Sequence, residues 1–273
     1  SLMIWGDVKV HGGWLGSGEW LMVCSCLAGG VVAAGAGYLV GLPTLRLRGD
    51  YLAIATLGFG EIIRVLLQQT GPPLRSVDAL KSATREQLFP PPLGGALGFS
   101  GIPWYTNLFW VVLFAGATLI AVFRLKQSST GRALISVRED EIAAQAMGIN
   151  VTSMKVRAFV YAAFLAGIAG GLYAHEPGVI LSPNDAGFQR SIDVVIMVVL
   201  GGMGSISGVT LAAAVLTILP EFLRDFEKYR LIVYALSLVL MMVLRPQGIF
   251  GFREIWDYLP RRRKLAAEGS ADS

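Results

Sequence analysis

Long apolar runs separated by short charged stretches dominate this chain. Six apolar runs stand out, at 20–42, 104–123, 156–175, 187–203, 205–220 and 230–245, and a seventh, 51–69, is apolar but carries Glu61 and Arg64. A helix needs about 20 apolar residues to cross a bilayer. Several of these runs are shorter and rich in glycine, which is tolerated in membrane helices where neighbours cover the backbone. The pattern predicts an all-α, polytopic transmembrane helix bundle of about seven segments, some of them tilted or broken.

The composition agrees with a membrane protein and excludes several other classes. Charged residues make up 15% of the chain and hydrophobic residues 54%, against roughly 25% and 45–50% in soluble domains. The sequence contains no phosphate-binding loop of the G-x-x-x-x-G-K-[ST] type. Its two histidines lie at predicted external positions and have no further ligands at metal spacing. We therefore expect neither an enzyme nor a metal or cofactor site of its own, and the basic pI of about 9.2 needs no nucleic-acid partner.

The basic residues predict how the chain crosses the membrane, because Lys and Arg concentrate in short cytoplasmic loops. They cluster at 46–48, at 124–157 and after residue 244. An alternating path with the N-terminus outside places all three clusters in the cytoplasm, together with the tail 253–273. Treating 187–220 as one broken helix is the alternative, and it would leave that tail outside. The loop 70–103 is then external, and its six prolines exclude a spanning helix. It either caps a pathway, contacts an external donor protein, or is a variable solvated loop.

Residues 136–148 form a charged stretch between apolar segments, and their pattern is typical of a short helix in water. Ser136 and Glu139 have the spacing of a capping box. Glu139, Asp140 and Glu141 fall in the first turn, where the helix dipole favours anions, and Gly148 supplies a left-handed stop. The sequence predicts one helix over 137–147, to which a soluble partner protein binds. The alternative is an amphipathic helix lying on lipid, for which this stretch has little bulky apolar surface.

The stretch 56–64 is the least lipid-like part of a predicted membrane segment. Gly58 and Gly60 follow Thr56 and weaken a helix, so we expect an irregularity there. Glu61 and Arg64 are three residues apart, share a helix face and can neutralise each other. Ionisable groups inside a membrane are candidates for function. These five residues are therefore candidates for a translocation path, and a purely structural ion pair is the alternative.

Glycines mark further positions of close packing or bending. Gly167 and Gly171 form a G-x-x-x-G pair, as do Gly204 and Gly208, and this spacing favours close helix packing. Gly201, Gly202 and Gly204 interrupt the apolar run near residue 203. They are interpreted as a hinge or as a tight turn.

Three long motifs, at 41–64, at 131–150 and at 199–208 with 245–251, occur in one order. Together they resemble the permease subunits of branched-chain amino-acid ABC importers (LivM type), over a core of residues 20–252. The resemblance implies a single transmembrane permease domain, 1–273, with a cytoplasmic coupling loop at 124–155. Family members carry further membrane segments before the first motif, so residues 1–19 are expected to be the remnant of an external loop. The loop after Arg64 departs from the family's Thr-Gly-Gly pattern.

The resemblance also assigns roles and partners. ABC importer permeases share a Glu-Ala-Ala-x-x-x-Gly pattern, which Ala143, Ala144 and Gly148 match, with Ile142 in place of the glutamate. In the family this helix docks on an ATP-binding subunit. The implied partners are a second related permease, two ABC subunits that bind ATP, an extracytoplasmic substrate-binding protein and the lipid of a bacterial inner membrane. A urea- or amide-type ABC permease is the alternative, followed by a stand-alone secondary transporter.

Overall fold

The computed structural model describes residues 17–47, 49–70, 94–95, 98–99, 102 and 105–222. The chain divides into two compact units, Ser1–Phe188 and Gln189–Ser273, and each is described by itself. Within the described residues all regular structure is helical, apart from one isolated antiparallel bridge between Phe99 and Leu181. The all-α prediction is therefore confirmed for this part of the chain. The run predicted at 230–245, the tail 253–273 and most of the loop 70–103 lie outside the described residues.

The helices follow the predicted runs closely. They are α1 (Ser17–Thr44), α2 (Asp50–Gln68), α3 (Leu108–Gln127), α4 (Ser129–Glu139), α5 (Glu141–Ala146), α6 (Val151–Ala174), a 3₁₀ turn (Pro183–Ala186), α7 (Phe188–Gly201) and α8 (Ile206–Phe222). Among the described residues, three helices are long and apolar enough to cross a membrane: α1, α3 and α6. A shorter apolar stretch, Ile206–Leu219, lies in α8. The chain is thus a multi-pass membrane protein.

Small residues bring α1 and α6 into close contact in the first unit. A Cβ atom placed on Gly167 of α6 would lie 2.7 Å from Ala33 Cβ and 2.8 Å from Gly30 Cα in α1. One placed on Gly171 would lie 2.9 Å from Cys26 Cα. No side chain larger than hydrogen fits at these two positions without moving α1. The close packing predicted from the Gly167 and Gly171 spacing is confirmed.

Contacts at the helix ends show that α1 and α3 run in the same direction and α6 in the opposite one. Near the start of α3, Thr106 Oγ1 donates to the Leu172 carbonyl near the end of α6, at 2.9 Å. Thr106 also lies 3.6 Å from Met22 Sδ, near the start of α1. A buried cluster of Met22, Cys26, Trp110 and Ile168 fills this end. The starts of α1 and α3 and the end of α6 thus share one side, in agreement with the predicted alternating path.

In the second unit, α7 and α8 are joined by a tight turn. Gly202 and Gly204 adopt φ of 101° and 106°, which glycine reaches without strain. A Cβ atom on Gly201 would lie 2.4 Å from Val209 Cα, so the two helix ends touch backbone to backbone. The hinge role of Gly201, Gly202 and Gly204 stays a prediction. Gly204 lies in the turn ahead of α8, so the prediction that it shares a helical face with Gly208 is wrong.

Candidate functional site

The charged stretch at 136–148 consists of two helices that meet at Asp140, and the prediction of one helix over 137–147 is wrong. Helix α4 begins earlier than predicted, because Ser128 Oγ accepts the Gly131 N–H at 3.1 Å and caps it. Ser136 is therefore inside α4, where its hydroxyl donates to the Ala133 carbonyl at 2.8 Å. It does not cap a helix, and the predicted capping box with Glu139 does not form.

Asp140 starts the second helix in place of Ser136. Its backbone is extended, at φ −154° and ψ 111°. One carboxylate oxygen accepts the N–H groups of Ile142, at 2.8 Å, and of Ala143, at 3.0 Å. A carboxylate at the N-cap satisfies backbone donors that a helix otherwise leaves unpaired. This cap ends α4 and turns the chain into the six-residue α5.

The end of α5 has the left-handed stop that the sequence predicts. Gly148 lies at φ 82°, its N–H donates to the Gln145 carbonyl at 3.0 Å, and the Ile149 N–H donates to the Ala144 carbonyl at 3.1 Å. These two bonds are those of a Schellman motif. No atom lies within 4 Å of the position that a Cβ on Gly148 would occupy, so the space above this glycine is open.

The side chains of α5 separate into an inner and an outer set. Ala144 is only 3% exposed and faces its own chain. Ile142 and Met147 are 76% and 83% exposed and project away from it. The surface that a partner can reach therefore contains Ile142, Ala143 and Met147, whereas the resemblance suggested that both alanines contact the partner.

The acidic residues of this stretch all have partners inside the chain. Glu141 pairs with Lys155, near the start of α6. Glu139 pairs with Arg138 at the end of α4, and Asp140 caps α5. The sequence placed these three acids in one helical turn and indicated no partner within the fold for Glu141. The Glu141–Lys155 pair instead fastens α5 to a predicted membrane helix, a contact between residues 14 positions apart that local pattern does not reveal.

A groove of about 350 Å³ lies beside this ion pair. It runs between residues 45–47, which connect α1 and α2, and the segment from α5 to the start of α6. Its polar lining includes Arg46, Glu141, Gln145, Asn150 and Lys155. The connection before α2 and the short helix α5 are therefore neighbours at one end of the unit.

The second candidate region, 56–64, lies in the continuous helix α2. The predicted irregularity at Gly58 and Gly60 is wrong. Each glycine weakens a helix by only about 1 kcal/mol relative to alanine, and the flanking residues are mostly good helix formers. Thr56 Oγ1 donates to the Leu52 carbonyl, at 3.0 Å, as a helical threonine commonly does. Apart from the helix's own nearby backbone and the chain neighbours, no atom of the described residues lies within 4 Å of a Cβ placed on Gly58 or Gly60.

Glu61 and Arg64 form the predicted ion pair. Arg64 Nε lies 2.9 Å and 3.0 Å from the two Glu61 oxygens, and the side chains are 49% and 23% exposed for Glu61 and Arg64. Two residues that the sequence did not indicate join them. Asn184 Oδ1, in the 3₁₀ turn, accepts from Gln68 Nε2 at 2.9 Å and from Arg64 Nη1 at 3.4 Å. Gln68 could have been found from its helical spacing to Arg64, but Asn184 is remote in sequence. We call these four residues the α2 polar cluster.

No group of three or more His, Cys, Asp or Glu side chains suited to a metal occurs among the described residues.

Several apolar helices long enough to cross a membrane, with a short, capped and exposed helix between two of them, are the features of a multi-pass membrane protein. The sequence matches the family described as branched-chain amino acid transport system / permease component over residues 2–244, and the chain belongs to this family. It is 39% identical over 249 residues to the high-affinity branched-chain amino acid transport system permease protein LivM of Salmonella typhimurium and to that of Escherichia coli. Each alignment covers 86% of this chain and 58% of the relative.

A second kind of permease is also similar. The LivH permease protein of the same transport system in Escherichia coli is 31% identical over 148 residues, which are 54% of this chain and 47% of that protein. The chain thus spans less than two thirds of the length of these relatives. No solved structure matches it significantly.

Proposed function

We propose that this chain is part of the membrane-spanning permease subunit of an ABC importer for branched-chain or other hydrophobic amino acids. Separate subunits bind and hydrolyse ATP. The observation that carries the proposal is α5, a short capped helix whose Ile142 and Met147 project from the protein in a chain of the permease family. Large exposed apolar side chains on a helix too short to enter a bilayer favour docking on another protein.

The internal contacts of α5 suit the transmission of a movement. Ala144 is buried against the chain and Glu141 is paired with Lys155 of α6. Helix α6 in turn packs on α1 through Gly167 and its neighbours. A displacement of α5 by an ATP-binding subunit would therefore move α6 and α1 with it, because packed elements shift as units.

The partners follow from the family. The similarity to both LivM and LivH supports a second, related permease subunit as the other half of the pathway. Two ATP-binding subunits and an extracytoplasmic substrate-binding protein complete the proposed assembly. The proposed location is a bacterial inner membrane, and the chain forms a single permease domain with the coupling loop 124–155 in the cytoplasm.

Reconstitution tests the function and the cargo together. The complete subunit is assembled with its second permease and ATP-binding subunits in proteoliposomes, with its binding protein outside the ATP-containing compartment. We expect ATP-dependent uptake of radiolabelled leucine and no uptake of radiolabelled urea. Urea uptake without leucine uptake would establish the amide-type alternative, and leucine uptake without the ATP-binding subunits would establish a stand-alone transporter.

Cysteine labelling tests the proposed orientation. A cysteine replacing Ser82 should react with a membrane-impermeant thiol reagent in spheroplasts, whereas one replacing Ser270 should react only after the membrane is permeabilised. A parent in which Cys24 and Cys26 are replaced by alanine provides the background. The reverse labelling pattern would place the coupling loop outside and contradict docking on a cytoplasmic ATPase.

A further inference from the structure

We propose that the α2 polar cluster of Glu61, Arg64, Gln68 and Asn184 binds the ammonium and carboxylate groups of the transported amino acid. The inference rests on the proposed function and adds to it the class of ligand and the place where its charged end is held. One of the four residues, Asn184, comes into the cluster only through the fold, because it is remote from the other three in sequence.

Glu61 lies on the side of α2 that faces away from its own unit, whereas Arg64 and Gln68 contact the 3₁₀ turn that carries Asn184. No residue of α2 is fully buried, and Phe59 is among those that are half-buried, whereas Gly60 and Glu61 are exposed. At 100° per residue, Phe59 and Glu61 point to nearly opposite sides of the helix. The Glu61 carboxylate thus points outward, next to the open surface above Gly60.

A charged pair with this orientation needs a polar neighbour beyond the chain. Helix α2 is not among the three helices apolar enough to cross a membrane by themselves, but the path predicted from the sequence makes it a membrane segment. Ionisable side chains within such segments almost always face other protein or a water-filled cavity, because exposure to lipid is costly. The open surface at Gly58 and Gly60 also leaves room for a ligand or a second subunit to approach α2. The cluster is therefore placed where two permease subunits would enclose a path.

The chemistry of the cluster matches a zwitterion. The Glu61 carboxylate, half exposed, can accept from an ammonium group, while Arg64 and Gln68 carry N–H donors for a carboxylate. Asn184 fixes the positions of these two donors by accepting from both. Opposite charges held a few ångströms apart also occur on the α-carbon of every amino acid, so this cluster would bind the common part of the ligand and leave its side chain to other surfaces.

Kinetics of leucine uptake by the reconstituted transporter test the proposal. Glu61→Gln should raise the KM for uptake roughly tenfold or more, because a hydrogen bond between charged groups contributes at least that factor. Asn184→Ala should raise the KM as well, and Asp185→Ala, in the same 3₁₀ turn but outside the cluster, serves as its matched control.

A charge swap separates binding from a structural ion pair. Glu61→Arg combined with Arg64→Glu keeps an ion pair but exchanges the two signs. We expect the double variant to be present in the membrane at normal level and to transport leucine poorly. Normal leucine KM values in the swapped protein and in Asn184→Ala would overturn the proposal and leave a purely structural pair. Failure of the unmodified transporter to take up leucine would instead refute the proposed function.

Discussion

Replacing Gly148 distinguishes two ways in which the end of α5 can affect the proposed coupling of ATP hydrolysis to uptake. One is its backbone conformation, and the other is its contact with the ATP-binding subunit. The residue lies at φ 82°, where side chains other than glycine are strained, and no atom of the described chain lies within 4 Å of a Cβ there. A substitution therefore perturbs the backbone without colliding with the described part of the chain. A collision with the proposed ATP-binding subunit would add to this backbone effect.

The backbone effect can be estimated. An L-residue in the left-handed region costs about 1–2 kcal/mol, so Gly148→Ala should reduce the population of the native α5 end roughly 5- to 30-fold relative to the alternatives available to it. Gly148→Asn should cost less, since asparagine adopts this region more readily than other residues. Gly148→Val should cost most, because a β-branched side chain with positive φ is a genuine outlier.

Leucine uptake and ATP hydrolysis are measured on the same proteoliposomes, with membrane insertion checked by the amount of subunit recovered. If backbone strain at residue 148 determines the coupling, uptake per ATP hydrolysed should fall in the order Gly, Asn, Ala, Val. If the space above Gly148 is filled by the ATP-binding subunit, the larger asparagine should impair uptake more than alanine. Equal coupling in all four proteins would refute both the estimate and the assignment of α5 as the docking helix.

Two further sets of variants test the contacts that connect α5 to α6 and α6 to α1. Gly167→Leu should destabilise the subunit in detergent by about 1–3 kcal/mol or more through overpacking, as measured by thermal unfolding. Gly170→Leu is the matched control and should be tolerated, because its Cβ position is open. Equal effects of the two substitutions would contradict the α1–α6 contact. Glu141→Lys and Lys155→Glu should each lower uptake per ATP, and the double exchange should restore it by re-forming the pair. A double exchange no better than the single variants would argue against the ion pair as the link.

The parts of the fold that the sequence predicted well depend on spacing within one helix. Gly167 and Gly171 are one turn apart, so their common face follows from helical geometry alone. The same is true of Glu61 and Arg64. The helix stop at Gly148 depends on the residue type alone, because glycine adopts positive φ without strain. In each case the relevant partner is local, and local partners can be read from the order of residues.

The parts that were missed depend on competition or on distant contacts. Ser136 and Asp140 are both good N-cap residues. Which of them caps depends on where α4 begins, and that start is set by Ser128 and by the close approach of Gly131 to the Leu125 carbonyl. Asn184 and Lys155 meet their partners across the fold, and no periodic pattern marks such contacts.

Helix α2 connects the two candidate regions. Its 19 residues span roughly 28 Å. The connection that precedes it, residues 45–47, lines the groove beside Glu141 and Lys155, while its far end carries the polar cluster with Asn184. Unlike α1 and α6, it has no buried side chain, so little packing within this chain resists its displacement. In the proposed mechanism, a displacement of α5 would therefore move the start of α2. It would change the surroundings of Glu61 and Arg64, which lie toward the end of that helix.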